Sequence, residues 1–202
     1  NPAAELKHKV FEAYALIMTK QKQVVEQAIA ALAPLCAGED PDPSALLALS
    51  MAHMALKQSP KARNQLRRLV KMDWRMDRAS EFERGWLLLS RIYIDGSKYD
   101  LAQELLKQAL ARNKSCAKAW ELLGYIMEKE QSYRDAADNY ENAWKMCSES
   151  DPAVGFKLAF NYLKAKRYVE AILICNKVLS ISPGYPKIKK DILDRARQSL
   201  RP

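Results

Sequence analysis

Apolar residues in this chain recur at intervals of three and four instead of alternating, and polar residues fill the gaps between them. The first such stretch carries Leu6, Val10, Phe11, Tyr14, Ile17 and Met18, the stripe expected of an amphipathic helix. The same reading carried along the chain predicts helices over residues 2–20, 23–37, 43–57, 60–72, 80–95, 98–112, 116–130, 133–147, 152–165, 168–180 and 186–200. End signals agree. Asp42-Pro43, Ser59-Pro60 and Asp151-Pro152 each set a capping residue before a proline suited to a first turn, and Ser80 with Glu83 reads as a capping box.

The helices are not independent, because residue types repeat every 34 positions. Trp86 and Trp120, Leu89 and Leu123, Ser90 and Gly124, Tyr99 and Tyr133, Ala102 and Ala136, Leu106 and Tyr140, Ala109 and Ala143 all share that spacing. This is the tetratricopeptide pattern of paired helices. The small residue on the first helix and the alanines on the second let the pair approach closely, while Trp and Tyr fill the space between pairs. With one inserted residue the register continues through Leu158, Ala159, Tyr162, Tyr168, Ala171, Cys175 and Pro183; towards the N-terminus it takes in Ala28, Ala62, Leu46, Leu49, Ser50 and Leu66. Val178 stands where a second alanine belongs, and is expected to push the last pair slightly apart. Six residues are inserted before Ala102, in the segment from Met72 to Phe82 that holds Trp74.

The expectation is therefore an all-α, right-handed superhelix of about five helix pairs (2–37, 43–72, 80–112, 116–147 and 152–180) with a capping helix at 186–200, a single solenoid forming part of a longer one. The apolar surface of the first helix predicts further repeats before it.

Composition narrows the function classes. No apolar run approaches the length of a membrane span, and no secretory leader is recognisable at the start of the chain. Cys36, Cys116, Cys147 and Cys175 are too widely spaced for a zinc or redox motif and read as reduced, apolar fillers, which implies a cytoplasmic compartment. His8 and His53 fall on different helices, and no catalytic or phosphate-binding motif accompanies them, so neither an enzyme nor a cofactor is expected. The net charge of +9 comes from two segments, 61–78 and 185–202, while the remainder of the chain balances.

Residues beyond the repeat frame carry a resemblance. GSKYDLAQELLKQAL from Gly96, YIMEKEQSYRDAADNYENAW from Tyr125, GFKLAFNYLKAKRYVEAI from Gly155 and YPKIKKDILDRARQSLRP from Tyr185 resemble the C-terminal repeats of the tetratricopeptide-repeat subunit of intraflagellar transport complex A. The likeness runs from about Gly85 to Pro202. It implies a non-catalytic scaffold of the train that returns cargo from the ciliary tip, a location in the cilium and at its base, and partners among the β-propeller-bearing subunits, cargo and motor components.

Two kinds of surface are candidates for binding. The concave groove of such a repeat is lined by first helices, at Leu47, Met51, Leu87, Arg91, Glu121, Tyr125, Phe156 and Phe160. A groove accepting a helix or an extended peptide is one reading; partial packing of these side chains is the other. No Lys and Asn pair stands at these positions to clamp a chaperone's C-terminal carboxylate. The second kind is basic: Arg63, Arg67, Arg68 and Lys71, within a run from Lys61 to Arg78, and Lys187, Lys189 and Lys190. These suit an acidic partner segment, tubulin tails or an anionic membrane surface, the alternative being a solvated face. Nucleic acid is not expected, because no aromatic stacking platform is interleaved with the charges. A free-standing adaptor that captures short peptides in the groove is the rival to the scaffold.

Overall fold

The computed structural model describes residues 2–201. Among them the chain forms α-helices and no strand: α1 (Pro2–Met18), α2 (Lys22–Leu32), α3 (Pro43–Ala55), α4 (Ser59–Lys71), α5 (Ala79–Asp95), α6 (Tyr99–Arg112), α7 (Ala117–Lys129), α8 (Tyr133–Met146), α9 (Pro152–Lys164), α10 (Tyr168–Ile181) and α11 (Asp194–Ser199). The chain divides into two compact units meeting between Lys98 and Tyr99. In the first, α1 to α5 pack each on the next, and α1 and α5 also touch α3. In the second, α7 packs on α6 and α8, α9 on α8 and α10, and the C-terminal cap on α10.

The repeat positions explain the packing. Ala28, Ala62, Ala136 and Ala171, on α2, α4, α8 and α10, are all fully buried, so each of these helices closes on its partner within the unit through a methyl group where a longer side chain would hold them apart; Ala102 on α6 is fully buried as well. Trp86 and Trp144 are buried, and Tyr140 lies flat against Gly124, where an added Cβ would come within 2.9 Å of the ring. Val178 is buried without an alanine's economy of volume; the room for it comes from Gly155 on α9, where any Cβ would collide with Val178 and with the Trp144 ring.

Several boundaries correct the sequence expectation. Residue 37 is not reached by α2, which ends at Leu32 and gives way to a 3₁₀ turn over Pro34–Cys36 because Pro34 has no N–H to continue the ladder. Asp42 and Asp151 cap as expected, accepting from the N–H groups of Ser44 and Ala45 and of Ala153. Ser59 does not cap: it is the first residue of α4, preceded by Gln58, which makes no side-chain cap. Ser80 likewise sits inside the first turn of α5 and donates its hydroxyl to Glu81 at 2.9 Å. Phe82 lies in α5 and not in the inserted loop, buried with its ring 5.9 Å from that of Trp86. The cap is a π-helical turn (Lys189–Leu193) running into α11.

One feature of the turns has no glycine to announce it. Lys57, Ser97, Gln131 and Lys166 follow α3, α5, α7 and α9, and each has a φ of 55° to 61°. After each, the next N–H bonds back across the helix end: Gln58 to the His53 carbonyl, Lys98 to Tyr93, Ser132 to Met127 and Arg167 to Tyr162, at 2.8 to 2.9 Å. Ser148 repeats it after α8, with a φ of 55° and the Glu149 N–H bonded to the Trp144 carbonyl at 2.9 Å, so among the described residues this Schellman closure is built five times on residues that carry a Cβ.

Candidate functional site

Within each unit the first helices of the pairs present a face of their own, and the two faces differ in chemistry. In the first unit, Asp42, Ser44, Arg78 and Glu81 form a closed ionic cluster between the start of α3 and the start of α5. Arg78 donates to the Asp42 carboxylate at 2.9 Å and to the Ser44 hydroxyl at 3.1 Å, stands 3.6 Å from Glu81, and Ser44 donates to Glu81 at 3.0 Å. Burial works to raise the Glu81 pKa, but the Ser80, Ser44 and Arg78 contacts outweigh it and the net shift is downward. Beside the cluster opens a cavity of about 380 Å³, walled by Leu6, Val10, Phe11 and Tyr14 of α1 and by Arg84 of α5. The Arg84 guanidinium lies over the Tyr14 ring at 5.7 Å. A second cavity, of about 430 Å³, is lined by Ile17, Met51, Met54 and Leu88.

In the second unit, Glu121 and Tyr125 on α7, and Phe156 and Phe160 on α9, are each one helical turn apart and so share a face. Glu121 joins the two helices, accepting from Lys118 and from Lys157 at 2.6 Å each. Burial acts to raise its pKa, and the two lysines reverse that to a net lowering. One turn further, Asn161 is fully buried and its Nδ2 donates to Glu128 at 2.8 Å. The half-buried rings are overlaid by cations: Lys129 stands 5.1 Å from the Tyr125 ring, and Lys164 lies 5.5 Å from Phe160 and 5.9 Å from Tyr133. Phe156 packs on Tyr185 with ring centroids 5.7 Å apart.

The structure thus brings Glu121, Tyr125, Phe156 and Phe160 together. In the first unit the expected groove residues divide. Met51 lines a cavity, Leu87 is half-buried and Arg91 is exposed. Leu47 is buried at 1% exposure, a correction: it serves the core of α3 and offers no accessible surface. Lys129, Lys164, Tyr185, Tyr14 and Arg84 were not among the expected binding residues, Tyr14 being read only as part of the apolar stripe of the first helix. For the first two a signal existed, since each lysine follows an aromatic residue by four positions, the spacing of same-face neighbours on a helix.

The basic run does not act as one patch. Arg75 pairs with Asp77, Arg78 belongs to the ionic cluster, and Arg68 donates to the Gly38 carbonyl at 3.0 Å and to Gln65. Arg67 and Lys71 are exposed, while Arg63 is half-buried; Lys187, Lys189 and Lys190 are exposed. Elsewhere, His8 stands 3.1 Å from Glu12 on the surface of α1, and His53 is buried against Gln58 at 2.9 Å. Burial pushes the thiols of Cys36 and Cys175 up to about 11 and about 12, which keeps them protonated and unreactive. No helix among the described residues is long and apolar enough to cross a membrane.

Comparison with known proteins follows the repeat over its whole length. The family model described as the tetratricopeptide repeat protein 21 C-terminal ARM domain matches residues 1–197. The chain is 58% identical to human tetratricopeptide repeat protein 21B over 96% of its length and 15% of that protein, and 53% identical to mouse tetratricopeptide repeat protein 21A over 93% and 14%. It is 43% identical to a Caenorhabditis elegans homolog over 78% of its length and 12% of that protein. It therefore spans about a seventh of the length of the curated relatives it matches. Among solved structures, the C-terminal part of a TPR repeat-containing protein from Cytophaga hutchinsonii superposes with a TM-score of 0.75 at 18% identity, covering 94% of this chain and 70% of that one. MamA superposes at 0.65 with 20% identity, covering 89% and 94%. At such identities the likeness speaks for the fold alone, the all-α tetratricopeptide superhelix.

Proposed function

The chain belongs to the tetratricopeptide repeat protein 21 family, and from that membership we propose that it is a non-catalytic scaffold segment of intraflagellar transport complex A, working in retrograde transport in the cilium and at its base. The observation that carries the reading is the coincidence of two independent patterns on the same residues. A helical-repeat scaffold accounts for the 34-residue spacing, and the off-consensus stretches from Tyr125, Gly155 and Tyr185 are the ones that resemble the complex A subunit. A scaffold holds partners by surface and needs no reacting group; the Cys36 and Cys175 thiols are buried and held protonated, and His53 is engaged by Gln58.

Partners in this reading are sibling subunits of the complex, with cargo and motor components as further ones. Co-elution of the chain with individual complex subunits tests it. Retention of at least one β-propeller-bearing subunit is the expected result. Co-elution with none of them, together with recovery of unrelated short peptides, replaces the scaffold by the free-standing peptide adaptor.

A further inference from the structure

We propose that the α7–α9 face of the second unit is a docking site for an acidic linear segment whose carboxylates are interleaved with apolar side chains. The inference rests on the scaffold reading only in taking this face as a partner surface, and it adds the chemistry of what binds there.

Charge carries it. The α7–α9 face holds four ammonium groups, those of Lys118, Lys129, Lys157 and Lys164, against two carboxylates, Glu121 and Glu128. Lys118 and Lys157 must share Glu121, at 2.6 Å each. One Glu128 oxygen is occupied by the Asn161 amide. Lys129 and Lys164 form no ion pair among the described residues and rest over aromatic rings instead.

A cation over a ring at an exposed site gains only about 0.5–1 kcal/mol. An arriving carboxylate can therefore take either ammonium without breaking an ion pair, and keeps the ring beneath it as an apolar floor. Tyr125, Phe156 and Phe160 are half-buried, so each keeps exposed surface on the face that carries these cations and offers contact to aliphatic or aromatic side chains. A neutral apolar peptide would leave the excess positive charge unanswered, and a basic one would be repelled. Arg78 in the first unit shows the opposite arrangement. Its two terminal nitrogens are taken by Asp42 and by Ser44 and Glu81, with a buried Nε left without a hydrogen bond, so a second carboxylate there would have to displace a partner already bound.

The test uses the whole chain and three fluorescein-labelled synthetic peptides of one length, in which phenylalanine alternates with glutamate, with glutamine or with lysine, followed by fluorescence anisotropy. The glutamate peptide is expected to bind, to weaken as salt rises, and to bind at least about tenfold tighter than the glutamine peptide, the effect of about 1.4 kcal/mol of charge-assisted contact. Lys129→Gln with Lys164→Gln should weaken it several-fold while leaving the unfolding midpoint unchanged, because both side chains are exposed. Lys189→Gln with Lys190→Gln, at the separate C-terminal cluster, should leave binding as it was. Equal binding of the glutamate and glutamine peptides overturns the proposal, as does tighter binding of the lysine peptide or indifference to the Lys129 and Lys164 substitutions. A larger effect from Lys189 and Lys190 would move the site elsewhere and overturn it equally. These outcomes are separable from co-elution with complex subunits, which reads the scaffold itself and uses no acidic peptide.

Discussion

Two faces of this protein, one beside the starts of α3 and α5 and one on α7 and α9, use charge in opposite ways. In the first unit, Arg78 is enclosed by Asp42, Ser44 and Glu81, so charge is spent internally and holds the long segment before α5 against the start of α3. In the second, lysines outnumber carboxylates and lie over aromatic rings. The buried alanines are the same in both. The difference teaches that the repeat constrains only the residues between helices, and that the outward positions are free to become either a structural clasp or a binding surface.

The comparison can be broken or sharpened by substitution, and the largest effect belongs to the second unit's core. Trp144→Ala removes a buried ring packed against Gly155 and should cost about 3–5 kcal/mol in urea unfolding. A loss under 1 kcal/mol would mean that the ring is not the spacer between α8 and α9. Next comes Gly155→Ala, whose new methyl group meets Val178 and Trp144 and should cost about 1–3 kcal/mol. Combined with Val178→Ala the two changes should couple favourably in a double-mutant cycle, and strict additivity would show that the glycine is not there to admit the valine.

The clasp of the first unit should respond less. Arg78→Ala leaves Asp42 and Glu81 facing each other with little solvent, at a cost of about 1–2 kcal/mol after discounting for their partial exposure. Lys129→Ala, by contrast, should cost close to nothing. Equal losses at Arg78 and Lys129 would erase the distinction between clasp and surface.

Acid gives a milder contrast. The Glu121 pKa is lowered in the folded protein, so its contribution to stability is present above the usual glutamate value of 4.5 and is lost as pH falls below 4.5 and on through its lower folded value. Glu121→Gln should therefore lower stability at neutral pH and flatten the acid limb of the stability curve below pH 4.5, so that the two proteins converge in acid. A steeper acid limb in the variant would contradict the assignment. The last expected effect is a small gain. Gln131→Gly or Lys166→Gly relieves a left-handed residue at a helix end and should stabilise by about 0.5–1 kcal/mol each, the steric relief exceeding the added chain entropy.

Much of the architecture was legible before any coordinates. The spacing of Ala102 and Ala136, and of Trp86 and Trp120, marked helices that must nest, because a methyl group at a fixed interval is a packing instruction carried by composition alone. The Asp42 and Asp151 caps were readable for the same reason: an acceptor followed by proline satisfies a first turn locally. The Schellman turns at Lys57, Ser97, Gln131 and Lys166 were not readable, since positive φ is normally signalled by glycine, and here Gly96 stands one residue before the left-handed position. On the candidate face, Glu121, Tyr125, Phe156 and Phe160 could be chosen by register, but Leu47 held the same register and is buried.

The sequence by itself determined the period, the helical class, the small residues between paired helices and the family, all of which follow from local spacing or from identity along the chain. Only the tertiary structure decided which charges are spent. Whether a lysine is paired or free depends on carboxylates that arrive from another helix, as Glu121 does for Lys157 across 36 residues of chain, and that distance in sequence carries no trace in the pattern of either helix.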